Sequence, residues 1–361
     1  MSHDNAFFKD KHTGKFLQDL LQYFDTVSWF EPVVSAKNLE TENLLCSKLS
    51  STVHVANKKV IKRGLFWKIA EYFRLTWLGI FHVGQSEFVY LFFYGHLSLI
   101  MALIAMLFRK PYALYIRTDF TPKSILEKRV VKSARFILTT GDGIASRVQS
   151  INSKVGLVAP MIDFSTADLF TRGAVERLQP KKILFVGRLE RDKGIYVLLD
   201  AISGLQKKGL DIKLDVVGGG PEYDAMRCYA DELGILHVVD FYGLIKDKKQ
   251  LRQMYRDADI FVMPSFHEGF PRVLYEAMLY SLPIITTAVG SIPTVLADEK
   301  SALFVTANDS TILTEAICRL VDDAKLREKL SIGAAAAILS YLSQFDVPHA
   351  EQFKDLVERV G

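Results

Sequence analysis

Short apolar runs alternate with longer stretches of helical spacing along this chain, and the alternation is clearest from residue 181 onward. Ile183 to Val186, Ile260 to Met263 and Ile284 to Thr287 each read as a buried strand. Between the last two, Val273, Leu274, Ala277 and Met278 recur at helical intervals, and Ser281-Leu282-Pro283 ends the pattern. Pro271 suits the first helical position, where its missing N–H costs nothing. Strand, loop, helix and strand make a βαβ unit, whose ligands bind beyond the carboxyl end of the strand.

Before residue 181 the pattern is coarser. Phe16, Leu20, Leu21 and Phe24 share one side of a helix over 16–24, and 26–34 predicts a strand. Residues 1–10 contain no apolar run long enough for a strand, and the Gly14-containing loop Lys11 to Lys15 precedes the helix. Over 58–78 a helical wheel gathers Leu65, Phe66, Ile69, Ala70, Tyr72, Phe73 and Trp77 on one broad face. Lys62, Arg63, Lys68 and Arg74 fall mostly off it, as do Trp67, Leu75 and Leu78. Two readings fit: an interfacial helix against anionic lipid, or a domain helix packed on a sheet.

The run from Phe88 to Phe108 has the roughly 20 residues that a membrane span needs. Tyr94-Gly95-His96 divides it into a strand and a helix, so a buried βαβ unit is expected instead. Further strands are predicted at 112–116, 135–140 and 154–158, with a helix between the last two. Residues 160–180 lack sustained periodicity and read as a linker; 349–360 is an amphipathic helix after Pro348.

A chain of 361 residues fits two domains at roughly 150 residues each. With 49% hydrophobic and 24% charged residues, both halves can bury a core. The net charge of +4 suits anionic ligands or a membrane surface and is too small to point to nucleic acid. Cys46, Cys228 and Cys318 are far apart with no metal-ligand spacing, which fits a reduced, cytoplasmic setting. The N-terminus has no apolar segment of the signal-peptide kind.

Two carboxylates frame the βαβ unit, Glu268 in its loop and Glu276 in its helix. Between them lie Gly269, Phe270, Pro271, Arg272 and Val273, and the free N–H groups from Phe270 to Val273 open the helix. Such a terminus attracts anions. A diphosphate there would leave a carboxylate on either side to accept hydrogen bonds from hydroxyls, an arrangement that fits sugar on one flank and ribose on the other. Glu276 as a solvated helix position and Glu268 as a cap partner are the plainer alternatives. After the strand 183–186, Gly187-Arg188 and Lys193-Gly194 bring a planar cation and a flexible one to the same edge. Gly218-Gly219-Gly220 is no dinucleotide fingerprint, because Tyr223 stands where the third glycine would be needed. Those glycines instead permit a tight turn and close approach of backbone to ligand.

These motifs, with KKILFVGRLERDKG at 181–194, KLDVVGGGPEYD at 213–224 and VDFYGLIKDKKQLRQMYRDADIFVMPS at 239–265, resemble the E-x7-E retaining glycosyltransferases of family 4. The resemblance is dense over 180–340. It implies an α/β chain of GT-B fold, with two Rossmann-like domains facing a central cleft: 1–170 on the acceptor side, 171–345 on the donor side, and a helix at 346–361 crossing back to the first domain. It implies that Arg188 and Lys193 hold the donor diphosphate, Glu268 contacts the donor sugar, and Glu276 accepts from ribose. Gly187, Gly218 and Gly243 would lie along the nucleotide. On the acceptor side, the family's histidine has no counterpart after residues 112–116; His96, Asp119 and Gly14 are the candidates there.

The reaction so implied moves a hexose or hexosamine from a nucleotide diphosphate sugar to a hydroxyl of a lipid-linked or oligosaccharide acceptor, in surface-polysaccharide synthesis. It would use neither metal nor resident cofactor, at the inner face of the plasma membrane, with 58–78 as the peripheral contact. A non-catalytic nucleotide-binding partner of another transferase and a GT-B epimerase are the alternatives.

Overall fold

The computed structural model describes residues 2–3, 6–29, 46–48, 53–55, 65–93, 95–117, 120–158, 169–170, 180–345 and 347–360. The chain forms two compact units, Met1–Asp163 with Phe345–Gly361, and Phe164–Gln344.

The first unit begins with β1 (Ser2–His3), β2 (Ala6–Asp10), α1 (Lys11–Leu20), β3 (Val27–Trp29), β4 (Cys46–Lys48) and β5 (Val53–Val55). A long helix, α2 (Leu65–Gln85), leads to β6 (Val89–Phe92), α3 (His96–Leu107), β7 (Tyr112–Ile116), α4 (Ile125–Ser133), β8 (Ile137–Thr139), α5 (Asp142–Gln149) and β9 (Val155–Leu157). Strands β6-β7-β8-β9 make one parallel sheet. Every residue of β7 is buried, as a parallel strand covered on both faces requires. The Phe88–Phe108 run resolves into β6 and α3, and among the described residues no helix is long and apolar enough to cross a membrane.

Three expectations for the first unit change. Residues 6–10 do form a strand, but β2 pairs antiparallel with β1 and β4, outside the parallel sheet. With β2 ending at Asp10, α1 starts at once, so Gly14 lies within a helix and not in a loop. The helix expected over 58–78 is described from Leu65 and runs on to Gln85, while 58–64 fall outside the described residues. The pattern of that helix marks a broad aromatic face but neither what covers the face nor where the helix ends. Of the stretch expected as a strand at 26–34, Val27–Trp29 forms one, and 30–34 fall outside the described residues.

The second unit runs β10 (Lys182–Val186), α6 (Ile195–Lys207), β11 (Lys213–Val217), α7 (Tyr223–Glu232), β12 (Val239–Gly243), α8 (Lys248–Asp257), β13 (Ile260–Met263), α9 (Arg272–Leu279) and β14 (Ile284–Thr287). It continues with α10 (Ile292–Val295), β15 (Leu303–Val305), α11 (Ser310–Asp322) and α12 (Ala324–Leu342). Its sheet is parallel, in the order β12-β11-β10-β13-β14-β15. The order reverses between β10 and β13, and such a switch point opens a crevice at the carboxyl ends of the two strands.

The last helix, α13 (His349–Val360), belongs to the first unit. Phe353 stacks on Tyr90 with centroids 4.3 Å apart, and Gln352 donates to the Leu157 carbonyl at 2.8 Å. His349 enters the same aromatic cluster, its Nε2 2.7 Å from the Tyr90 hydroxyl.

Candidate active site

Around the β10–β13 switch point, backbone fixes the loops before any side chain acts. The Gly187 amide donates to Val217 and the Gly218 amide to Gly243, at 3.0 and 2.8 Å. Gly218 has φ +142, and a Cβ there would sit 1.8 Å from the Gly187 carbonyl oxygen. Gly187, Gly218 and Gly243 therefore meet in space, and only glycine allows that approach. A second contact of this kind links the β10 loop to β13: Gly194, at φ +69, would place a Cβ 2.0 Å from the Pro264 oxygen. The Phe266 amide donates to the Asp192 carbonyl at 2.7 Å across the same seam.

On that frame the structure brings together Lys193 and Glu268. Lys193 lies in a 3-10 turn, Arg191–Lys193, and its Nζ stands 3.0 Å from Glu268 Oε1. The His267 carbonyl is 3.5 Å from the same nitrogen, and so is Asp192 Oδ2. The lysine side chain is 20% exposed and the glutamate 13%. Burial alone would lower the lysine's pKa; the Glu268 carboxylate, then Asp192, outweigh it, and the net direction is up. Lys193 is thus held as a cation beside a carboxylate, the state needed to meet a phosphate.

Arg188 is placed differently. Its guanidinium is 69% exposed and pairs with Glu190 at 2.9 Å, without contacting Glu268. Pro271 stands at the N-cap of α9 and not at its first helical position, because the helix begins at Arg272. No side chain caps that end, and Leu274 is bonded back to the Pro271 carbonyl. Phe270 is anchored from behind by Tyr275 and Tyr341, at 4.3 and 6.3 Å between centroids. Arg272 is exposed and Val273 half-buried. Glu276 lies just over one turn into α9, with Oε2 buried. Tyr255, fully buried and stacked on Tyr280 at 5.4 Å, faces its carboxyl. Burial, then that carboxylate, push the Tyr255 phenol pKa well up.

The acceptor-side candidates are not assembled in this way. His96 is the exposed first residue of α3, Gly14 is inside α1, and Asp119 lies outside the described residues. Sequence reasoning also passed over Thr287, Gly290 and Ser291. The Ser291 amide donates to the Gly269 carbonyl at 2.8 Å, and Thr287 Oγ1 to the Ser265 carbonyl at 2.5 Å. The signal available was a glycine just past a strand that runs beside β13.

Comparison with known proteins bears on this geometry. Residues 170–336 match the family model of glycosyl transferases group 1. The second unit resembles that family. The D-inositol 3-phosphate glycosyltransferase of Corynebacterium aurimucosum is 29% identical over 257 residues, covering 65% of this chain and 58% of the relative. That of Corynebacterium jeikeium is 31% identical over 224 residues, covering 57% and 53%. The chain therefore spans little more than half the length of these relatives. Among solved structures, Anabaena HepE in complex with UDP superposes with a TM-score of 0.67 at 18% identity, over 96% of this chain and 95% of that one. The fold is accordingly of GT-B type, with two parallel-sheet Rossmann-like domains.

Proposed function

We propose that this chain is a retaining, metal-independent glycosyltransferase of family 4 that moves a hexose or hexosamine from a nucleoside diphosphate sugar to a hydroxyl. The observation that carries the reading is the Lys193–Glu268 pair at the carboxyl edge of β10 and β13, beside the uncapped start of α9. In this proposal α9's first amides and Lys193 receive the diphosphate, with Arg188 swinging from Glu190. Glu268 accepts from a sugar hydroxyl and Glu276 from the ribose. The bond from C1 to the β-phosphate oxygen breaks while the acceptor oxygen bonds C1 on the same face. The acceptor's proton passes to the leaving phosphate, giving a nucleoside diphosphate and a glycoside with retained configuration. Positioning and fixed positive charge carry the rate, so the lysine and arginine take the electrostatic part that a metal plays elsewhere. The similarity to glycosyltransferases with UDP-bound relatives in the same fold supports a nucleotide-sugar donor.

Two acceptor readings are proposed. An exposed aromatic stripe on α2, with Phe73 and Trp77 each 75% exposed, supports a lipid-linked acceptor of surface-polysaccharide synthesis, met at the inner face of the plasma membrane. The names of the curated relatives support a phosphorylated polyol instead. The test is nucleotide release from a panel of UDP-, GDP- and ADP-sugars, with and without EDTA, in the presence of inositol phosphate or a membrane lipid extract. Release from one donor, unchanged by EDTA and lost in Glu268→Ala, is expected. Release abolished by EDTA would remove the metal-independent reading. Nucleotide binding without release under every condition would instead identify a non-catalytic partner.

A further inference from the structure

Glu268 belongs to a loop with no secondary structure between Pro264 and Pro271, yet its backbone is held along its length by the neighbouring strand. β14 lies parallel to β13 with Met263 opposite Thr286. Thr286 Oγ1 donates to the Met263 carbonyl at 2.9 Å, and Thr287 Oγ1 to the Ser265 carbonyl at 2.5 Å. Beyond the strand, Gly290 turns at φ +58, and a Cβ there would stand 1.8 Å from the Glu268 carbonyl oxygen and 2.7 Å from that of Gly269. The Ser291 amide then takes the Gly269 carbonyl at 2.8 Å. These contacts follow the loop from its first residue to the one after the glutamate.

Thr286, Thr287 and Ser291 are buried, so the bonds run where water cannot replace them. On the opposite side the loop meets the β10 loop through Gly194 against Pro264, Phe266 to Asp192, and Lys193 to Glu268. The loop is therefore gripped from two sides, and its backbone path sets the direction of the Glu268 side chain.

We infer that Thr287 and Gly290 are positioning residues for Glu268: they fix the Ser265–Gly269 backbone so that the carboxylate meets the donor sugar at one place. This inference rests on the proposed role of Glu268 as the sugar contact. Neither residue touches the reacting atoms in this account; each acts through the loop carbonyls. Thr287→Val keeps the side chain's shape but leaves the Ser265 carbonyl without its donor. Gly290→Ala drives a methyl group into the Glu268 carbonyl. A displacement of about 1 Å in a reacting constellation costs on the order of a hundredfold in rate.

The experiment compares Thr287→Val, Thr287→Ser, Gly290→Ala and Glu268→Ala in the full chain. It uses the sugar nucleotide that the donor panel identifies and the matching sugar-free nucleoside diphosphate. The readouts are kcat, donor KM, affinity for the sugar-free nucleotide, and Tm. Thr287→Val and Gly290→Ala are expected to lose about tenfold or more in kcat while the sugar-free nucleotide binds about as in the parent. Thr287→Ser, which retains the hydroxyl, should restore kcat. Should Gly290→Ala fail to fold, the threonine pair still decides. Full kcat in Thr287→Val alongside an inactive Glu268→Ala would overturn the inference and leave the site reading standing. An active Glu268→Ala would overturn the site reading, and the inference with it. Parallel loss of sugar-free nucleotide affinity and turnover, unrescued by serine, would reduce the threonine to a general structural part and overturn the inference.

Discussion

Arg188→Ala separates two uses of one cation. In the structure Arg188 is a largely exposed partner of Glu190, and such pairs contribute about 0–1 kcal/mol. The substitution should leave urea stability nearly unchanged yet lower kcat on the order of a hundredfold if the guanidinium meets the leaving phosphate. Unchanged turnover would take Arg188 out of the site. Glu276→Ala should raise donor KM by about tenfold with kcat less affected, since a ribose contact is present before and during the reaction. His349 adds a pH dependence of its own to the stability. Burial lowers the His349 pKa from 6.5 to about 3, among Phe16, Tyr90 and Tyr115. Below pH 6.5 the unfolded chain takes up a proton that the folded chain refuses. Stability therefore falls as pH drops, by about 1.4 kcal/mol per pH unit from this group alone. Urea titrations at pH 7 and pH 5 should show that fall, and His349→Gln should shrink it.

Among the elements, α9 carries the most consequence for its eight residues. Phe270 and Tyr275 at its start stack with Tyr341 near the end of α12; at its other end the Leu279 carbonyl accepts from the Phe170 amide at 2.8 Å. Tyr341 precedes the chain's exit from the second unit, and Phe170 follows its entry. The loops around α9 depend on glycine at defined points. Gly218→Ala would meet the Gly187 carbonyl at a φ that favours glycine, so a loss of about 1–3 kcal/mol is expected from urea unfolding. The βαβ unit of β13, α9 and β14 was legible in the sequence, because a uniformly apolar strand, a helical stripe and a proline stop leave one solution. In α2 that logic left two readings open. Phe73 and Trp77 lie on the exposed side while Leu75 and Val83 are buried, the reverse of a helix that packs its broad aromatic face. A broad aromatic face does not by itself say whether the rest of the fold will cover it.

For the whole molecule, the exposed side of α2 makes a prediction separate from the proposed donor site. Phe73, Trp77 and Phe81 recur every four residues and stay out of the core. If they meet a membrane, Phe73→Ser with Trp77→Ser should weaken binding to vesicles containing anionic lipid by tenfold or so, leaving donor affinity unchanged. Equal vesicle binding would assign the stripe another role. The sequence by itself determined the two alternating α/β halves, the strands on either side of the Glu268 loop, and Lys193, Glu268 and Glu276 as candidates, since the succession of elements and the composition of loops are local patterns. It also marked the last helix, whose apolar side needs a partner. Tertiary structure decided what locality cannot: that Lys193 pairs with Glu268 across 75 residues while Arg188 does not. It also decided that α13 closes the aromatic core of the first unit, and that Thr287 and Gly290 hold the Glu268 loop. Hydrophobic periodicity reports which face of an element is buried; which buried carbonyl meets which hydroxyl is set only when strands distant in sequence are aligned in one sheet.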